Sequence, residues 1–67
     1  MSMLRLKRKR LMLNQTNASI VLGIDNTYLS QIENKKRFNI SDDLFLKICT
    51  LYKVSSEELK VFLNKEN

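Results

Sequence analysis

An all-α domain is predicted by three features of the 67-residue chain. There is no proline and one glycine, Gly23, so the residues that usually interrupt a helix interior are scarce. Apolar residues make up 43% of the chain and recur three and four apart, the spacing of one helix face, instead of alternating as in strands. Finally, Asn14, Asp25, Ser41 and Ser55 each stand just before an apolar-periodic stretch, where a short polar side chain accepts from the open N–H groups of a helix start.

These caps divide a single domain, residues 1–67, into five helices at roughly 3 to 12, 15 to 22, 26 to 34, 42 to 52 and 56 to 64. In the first, Leu4 and Leu11 aim at the core. In the second, Ala18, Val21 and Leu22 share a face, joined by Ile24 in the following turn, and all four should bury against the third helix. The third has Tyr28, Leu29 and Ile32 on its apolar side. The fourth gathers Leu44, Phe45, Ile48, Cys49, Leu51 and Tyr52 on one stripe, and the fifth Leu59, Phe62 and Leu63. Ser55-Ser56-Glu57-Glu58 opens the fifth as a capping box, in which serine and glutamate satisfy each other's backbone N–H. The last few residues read as a frayed tail. Cys49 lies inside an apolar stripe with no basic neighbour on its own turn, which makes it a small hydrophobe and not a nucleophile.

Composition narrows the function. A chain this short buries only about 60% of its unfolded surface, too little for a large multi-step enzyme. One cysteine and no histidine leave neither a disulfide framework nor a histidine-based metal site; no metal, cofactor or catalytic residue is expected, and helix packing, an oligomer, or both must supply stability. The longest apolar runs, such as Leu11-Met12-Leu13 and Val61-Phe62-Leu63, are three residues, whereas a bilayer span needs roughly 20. No apolar stretch of the signal-peptide kind follows the basic start, so a cytoplasmic location is expected.

Charge is distributed unevenly. Residues 1–37 carry eight basic against two acidic side chains, a net +6, while residues 38–67 carry four against five, a net −1. A polyanion facing the first half is implied, either nucleic acid or an anionic membrane surface. The membrane reading is the weaker, because Lys7-Arg8-Lys9-Arg10 wraps the first helix and no broad Trp/Phe/Leu face opposes it.

The most informative stretch is residues 14–34, two short helices flanking a turn at Gly23, the residue that reverses the backbone without steric cost. Opposite the apolar side of the third helix lie Asn26, Thr27, Ser30, Gln31 and Asn34. An ordinary surface helix would carry Lys and Glu there. Amides and hydroxyls both donate and accept, which is what base edges in a major groove require.

The first helix adds an independent constraint. Arg8 lies about 40° around the helix from Leu4, so it is drawn toward the core, and a buried guanidinium needs a carboxylate. Asp25 and Glu33 are the acids before residue 42, and Asp25 is engaged as a cap. A salt bridge between Arg8 and Glu33 is therefore expected, joining the first helix to the end of the third and aiming it.

Arg8, Asn14-Gln15, Gly23-Ile24, the run Tyr28-Leu29-Ser30-Gln31-Ile32-Glu33-Asn34, Ile48-Cys49, and Val54-Ser55 to Leu59 together resemble the Cro/C1-type helix-turn-helix family of phage repressors and bacterial regulators, the XRE family. The resemblance covers about residues 4–60. It implies a compact five-helix, lambda-repressor-like DNA-binding domain whose helix-turn-helix core is about residues 15–34. It further implies base reading by Asn26, Thr27 and Gln31. Gln15 and Asn34 would hold phosphates, Tyr28 and Ser30 would lie at the groove edge, and Lys35, Lys36 and Arg37 would follow the DNA backbone. It also pairs Arg8 with Glu33. The sequence departs from the family at Lys35 and Met12, which stand where glycine is common, at Ser19, where alanine is common, and in a 35–41 loop about one residue longer than usual.

The function expected is a sequence-specific regulator of transcription, a repressor or autoregulator of prokaryotic or phage type, that acts as a homodimer on a near-palindromic double-stranded operator. No small-molecule ligand is evident. Ile20, Leu46 and Val61 fall off the core faces of their helices, and Val61 is the first candidate for the dimer contact by resemblance to the family. The competing reading is a protein-interaction module, such as an antitoxin or anti-repressor, built on the same fold.

Overall fold

Each helix starts where a small side chain accepts from a backbone N–H left open by helix geometry. The computed structural model describes residues 2–63, with α1 over Met3–Arg10, α2 over Gln15–Leu22, α3 over Asn26–Glu33, α4 over Asp42–Tyr52 and α5 over Ser56–Leu63. Asn14 accepts from the Asn17 N–H at 2.7 Å, Asp25 from Thr27 at 2.9 Å and Ser41 from Leu44 at 3.2 Å. The capping box closes at both ends: Ser55 Oγ accepts from the Glu58 N–H at 3.0 Å, and Glu58 Oε1 from the Ser55 N–H at 3.1 Å. Ser2 caps α1 in the same way, through the Arg5 N–H. Acids in the first turns of α4 and α5, and the basic run in the last turn of α1, match the helix dipole. The frayed tail expected at the C-terminus lies outside the described residues, as does residue 64, the expected end of the fifth helix.

The helices end alike. Met12, Gly23, Lys35 and Lys53 all take left-handed φ values, of 59°, 72°, 60° and 55°. In each case the next residue's N–H reaches back five positions to a carbonyl: Leu13 to Arg8, Ile24 to Ser19, Lys36 to Gln31 and Val54 to Cys49. This closure satisfies carbonyls that the helix leaves open, and glycine suits it best. Gly23 is the one glycine among the four; a Cβ there would touch nothing within 4 Å, so the turn requires glycine for its dihedral angle and not for room. The same closure ends α1 at Arg10, two residues short of the expected boundary.

The resulting all-α, five-helix arrangement is that of a lambda-repressor-like helix-turn-helix domain, with α2 packed on α3, α4 on α5 and α2, and α1 against α3 and α4. Its core takes Leu4 from α1, Ala18 and Leu22 from α2, Leu29 and Ile32 from α3, the Leu44-Ile48-Tyr52 stripe of α4, Val54, and Leu59, Phe62 and Leu63 of α5. Two expectations about this core are corrected. Val21 is 61% exposed, and Ser19 is buried in its place. The buried arc of α2 is set by Ala18 and Leu22, and Ser19 completes it because its hydroxyl donates to the Thr16 carbonyl at 2.7 Å. Leu11, beyond the end of α1, is half-buried and not central. Cys49 is half-buried against the core, and burial pushes its thiol up, away from the reactive thiolate.

At the centre sits a charged pair. Arg8 Nε donates to Glu33 Oε2 at 2.8 Å and Nη2 to Oε1 at 3.3 Å, while Nη1 donates to the Leu13 carbonyl at 3.0 Å. Glu33 is 1% exposed. Its carboxylate also accepts from the Tyr52 hydroxyl at 2.6 Å and, more distantly, from Gln15 Nε2 at 3.4 Å. No buried side-chain nitrogen or oxygen among the described residues lacks a partner, which is the condition under which a buried ion pair is tolerated. The hydrogen bond to Glu33 outweighs desolvation and holds the Arg8 guanidinium protonated.

Two stability predictions follow from this geometry. Met12 is 93% exposed, so Met12→Gly removes left-handed strain without removing packing; thermal melting should show a gain of about 0.5–1 kcal/mol. Tyr52 is the subject of the second. Burial first, and then the Glu33 carboxylate, push its hydroxyl far above the ordinary tyrosine value. Above about pH 10 the unfolded chain releases this proton and the folded one keeps it, so stability falls as pH rises and is fully present below that point. Tyr52→Phe should cost about 1.5–3 kcal/mol at neutral pH and lose less further stability between about pH 9 and 11. Urea midpoints at the two ends of that range check it, and a variant as pH-sensitive as the parent contradicts it.

Candidate nucleic-acid interface

The turn through Gly23 and Ile24 sets α3 across α2, and the core residues Leu29 and Ile32 decide which side of α3 faces out. That side carries Asn26, Thr27, Ser30, Gln31 and Asn34. Asn26, Thr27 and Asn34 are exposed, and Ser30 and Gln31 half-buried. The amides are oriented by neighbours: Asn26 Nδ2 donates to Thr16 Oγ1 at 3.4 Å, and Asn34 Nδ2 to Ser30 Oγ at 3.3 Å. The backs of the same turns are held by the apolar core and by Glu33, so the face is supported on a buried network.

Where α1, α2 and α3 meet, a polar recess is lined by Arg5, Arg8, Gln15, Ser30, Glu33 and Asn34. The two residues expected to hold phosphates, Gln15 and Asn34, therefore open on one recess. Arg5, which was not among the expected site residues, joins them; its position three residues before Arg8 on α1 is the signal that could have found it. Tyr52, expected as a core residue, is buried and also donates its hydroxyl to Glu33. A tyrosine in an otherwise apolar buried stripe needs a partner for its hydroxyl, and that need was the sign of its role on Glu33.

The loop residues separate from one another. The Lys35 ammonium lies 5.0 Å from the centroid of the Phe62 ring, drawn toward α5, whereas the Arg37 guanidinium lies 5.0 Å from that of Tyr28 on α3. Arg37 Nε also donates to Gln31 Oε1 at 3.2 Å. Lys36 is exposed between them, and Tyr28 is half-buried with its ring against both the core and Arg37. Val61, at 63% exposure, lies on the outer side of α5, away from this face's residues in sequence and element.

Among the described residues there is no cluster of metal-ligand type, and no helix is long and apolar enough to cross a membrane. The chemistry on offer is hydrogen bonding from α3 and positive charge from α1 and the loop that follows α3. No curated protein and no solved structure matches the chain. Residues 4–59, from Leu4 in α1 to Leu59 in α5, match the family described as helix-turn-helix; with that span and this geometry, the chain belongs to the helix-turn-helix family, as a DNA-binding domain.

Proposed function

We propose that the protein is a sequence-specific regulator of transcription of the Cro/C1 type, a repressor or autoregulator that acts in the cytoplasm as a homodimer and reads the major groove with α3. The observation that carries this reading is the amide and hydroxyl face of α3, backed by a buried ion pair that fixes its direction. Asn26, Thr27 and Gln31 are the base-reading residues, with Tyr28 and Ser30 at the groove edge. The recess holding Gln15, Asn34 and Arg5 takes a phosphate, and Lys35 and Lys36 follow the backbone.

A helix of eight residues reaches few base pairs, and specificity of a useful order needs a second copy. A two-fold related pair would set its two α3 helices about 34 Å apart, in successive major grooves on one side of the DNA. Val61 is proposed at the contact between the two copies.

A second reading has an observation of its own. Val21 and Leu46, 61% and 62% exposed, line an open apolar groove between α2 and α4 with Leu51, beside the Asp43–Lys47 ion pair. A partner protein seated there would make the chain an antitoxin or anti-repressor. On that reading Leu46→Asp abolishes function and the face of α3 is dispensable.

Base reading makes the opposite forecast. Asn26→Ala or Gln31→Ala should lose about 1–3 kcal/mol on the cognate site and almost nothing on unrelated duplex, measured by competition binding; equal losses on both contradict it. Lys36→Ala should weaken binding to every sequence and lower the slope of log affinity against log salt by about 0.9. A slope equal to the parent's would take Lys36 out of the interface.

A further inference from the structure

Arg37 belongs to the loop after α3, yet its guanidinium lies on the reading face. Three contacts put it there. Lys35, in the left-handed conformation, turns the chain back so that the Lys36 N–H bonds to the Gln31 carbonyl at 2.8 Å. Arg37 Nε then donates to the Gln31 side-chain oxygen at 3.2 Å, and its guanidinium carbon sits 5.0 Å from the Tyr28 ring centroid, within the about 6 Å reach of a cation–π contact. Tyr28 and Gln31 are one turn apart on α3, so one fixes the plane of the guanidinium and the other its edge.

The stoichiometry of these contacts alters what Gln31 can read. Arginine has donors and no acceptor, so the amide of Gln31 must turn its oxygen toward Arg37 and leave its NH2 for a ligand. An unencumbered glutamine reads adenine by accepting from the amino group and donating to N7. Here one of the two lone pairs of that oxygen is already taken by Arg37, and the other four N–H groups of Arg37 stand beside it. The combined edge is rich in donors. Guanine presents two acceptors, N7 and O6, to the major groove, whereas adenine presents an amino group that such an edge opposes.

We propose that Arg37 and Gln31 act as one composite reading group that selects guanine, which makes Arg37 a specificity-determining residue and not a follower of the DNA backbone. The proposal rests on the reading of α3 as the base-reading helix. It differs from that reading in which residue reads and which base is chosen.

The test is selection from a pool of randomised duplexes by the parent, Arg37→Ala, Gln31→Ala and the double variant, with the melting temperature of each recorded. Arg37 is exposed, so its replacement leaves the fold intact. The parent should enrich guanine at one position of each half-site. Arg37→Ala should shift that position toward adenine, by a factor on the order of 10, with the rest of the site unchanged. Gln31→Ala should relax the same position, and the double variant should be no worse than the singles because the two side chains act together. A parent site that Arg37→Ala binds more weakly but with every base preference kept makes Arg37 a phosphate contact and overturns the proposal, leaving the role of α3 standing. Adenine enriched by the parent at the position that both single variants alter overturns it as well. If the parent enriches no site, base reading by α3 falls and the proposal falls with it.

Discussion

One carboxylate decides how the rest of the molecule is arranged. Glu33 closes α3 and receives donors from three other helices: the guanidinium of Arg8 in α1, the amide of Gln15 in α2 and the hydroxyl of Tyr52 in α4. A hydrophobic contact at the same place would hold α3 to the core without fixing its rotation, since dispersion is indifferent to direction. Hydrogen bonds to two oxygens of one carboxylate are directional, and a charge at 1% exposure cannot fall back on water when one is lost. The network need not add net stability over apolar packing. Its physical effect is to make other orientations of α3 costly, because each of them strands a charge.

The same network joins the inside of the domain to its outer recess. Gln15 touches Glu33 from the side of α2 and also lines the recess with Asn34 and Arg5. A group bound in that recess therefore meets one side chain, Gln15, that is tied to the buried carboxylate. This differs from the loop at residues 35–37, where the cations lean on aromatic rings from the outside. Gln15 is oriented by a buried partner, and the loop cations by surface packing.

Much of this was legible in the sequence for reasons that can be stated. Helix number and starts were readable because each start is a local event, a short oxygen meeting an N–H two or three residues away. The Arg8–Glu33 pair was readable because helical geometry drew Arg8 inward and few acids were at hand to meet it. What escaped was set by tertiary context. Val21 and Ser19 exchanged places because the buried arc of α2 depends on where α3 and α4 lie, and a serine whose hydroxyl bonds to its own helix is as good a core residue as a valine. Helix ends were less legible than starts, since the left-handed closures at Met12, Lys35 and Lys53 are made by residues other than glycine, and at Met12 and Lys35 only the resemblance to a family with glycine there marked the position. The fold of the 35–41 loop has no periodicity to read, so the meeting of Arg37 with Gln31 was invisible until the chain reversal at Lys35 was seen.

Basic residues in this chain divide into two kinds, and the division bears on how binding would be assembled. Arg8 is part of the run Lys7-Arg8-Lys9-Arg10 but is spent inside, on Glu33 and the Leu13 carbonyl. Arg5, Lys9 and Arg10 are exposed on the same helix, where they can exchange counterions with a polyanion. Exposed cations set affinity and its dependence on salt, and they do so for any sequence of bases. Directional amides on a fixed helix set preference among sequences, and they contribute little until the charges have brought the duplex near. Glu33 turns one cation of that run, Arg8, inward and makes it the bond that ties α1 to the end of α3 and sets the direction in which the amide and hydroxyl face points.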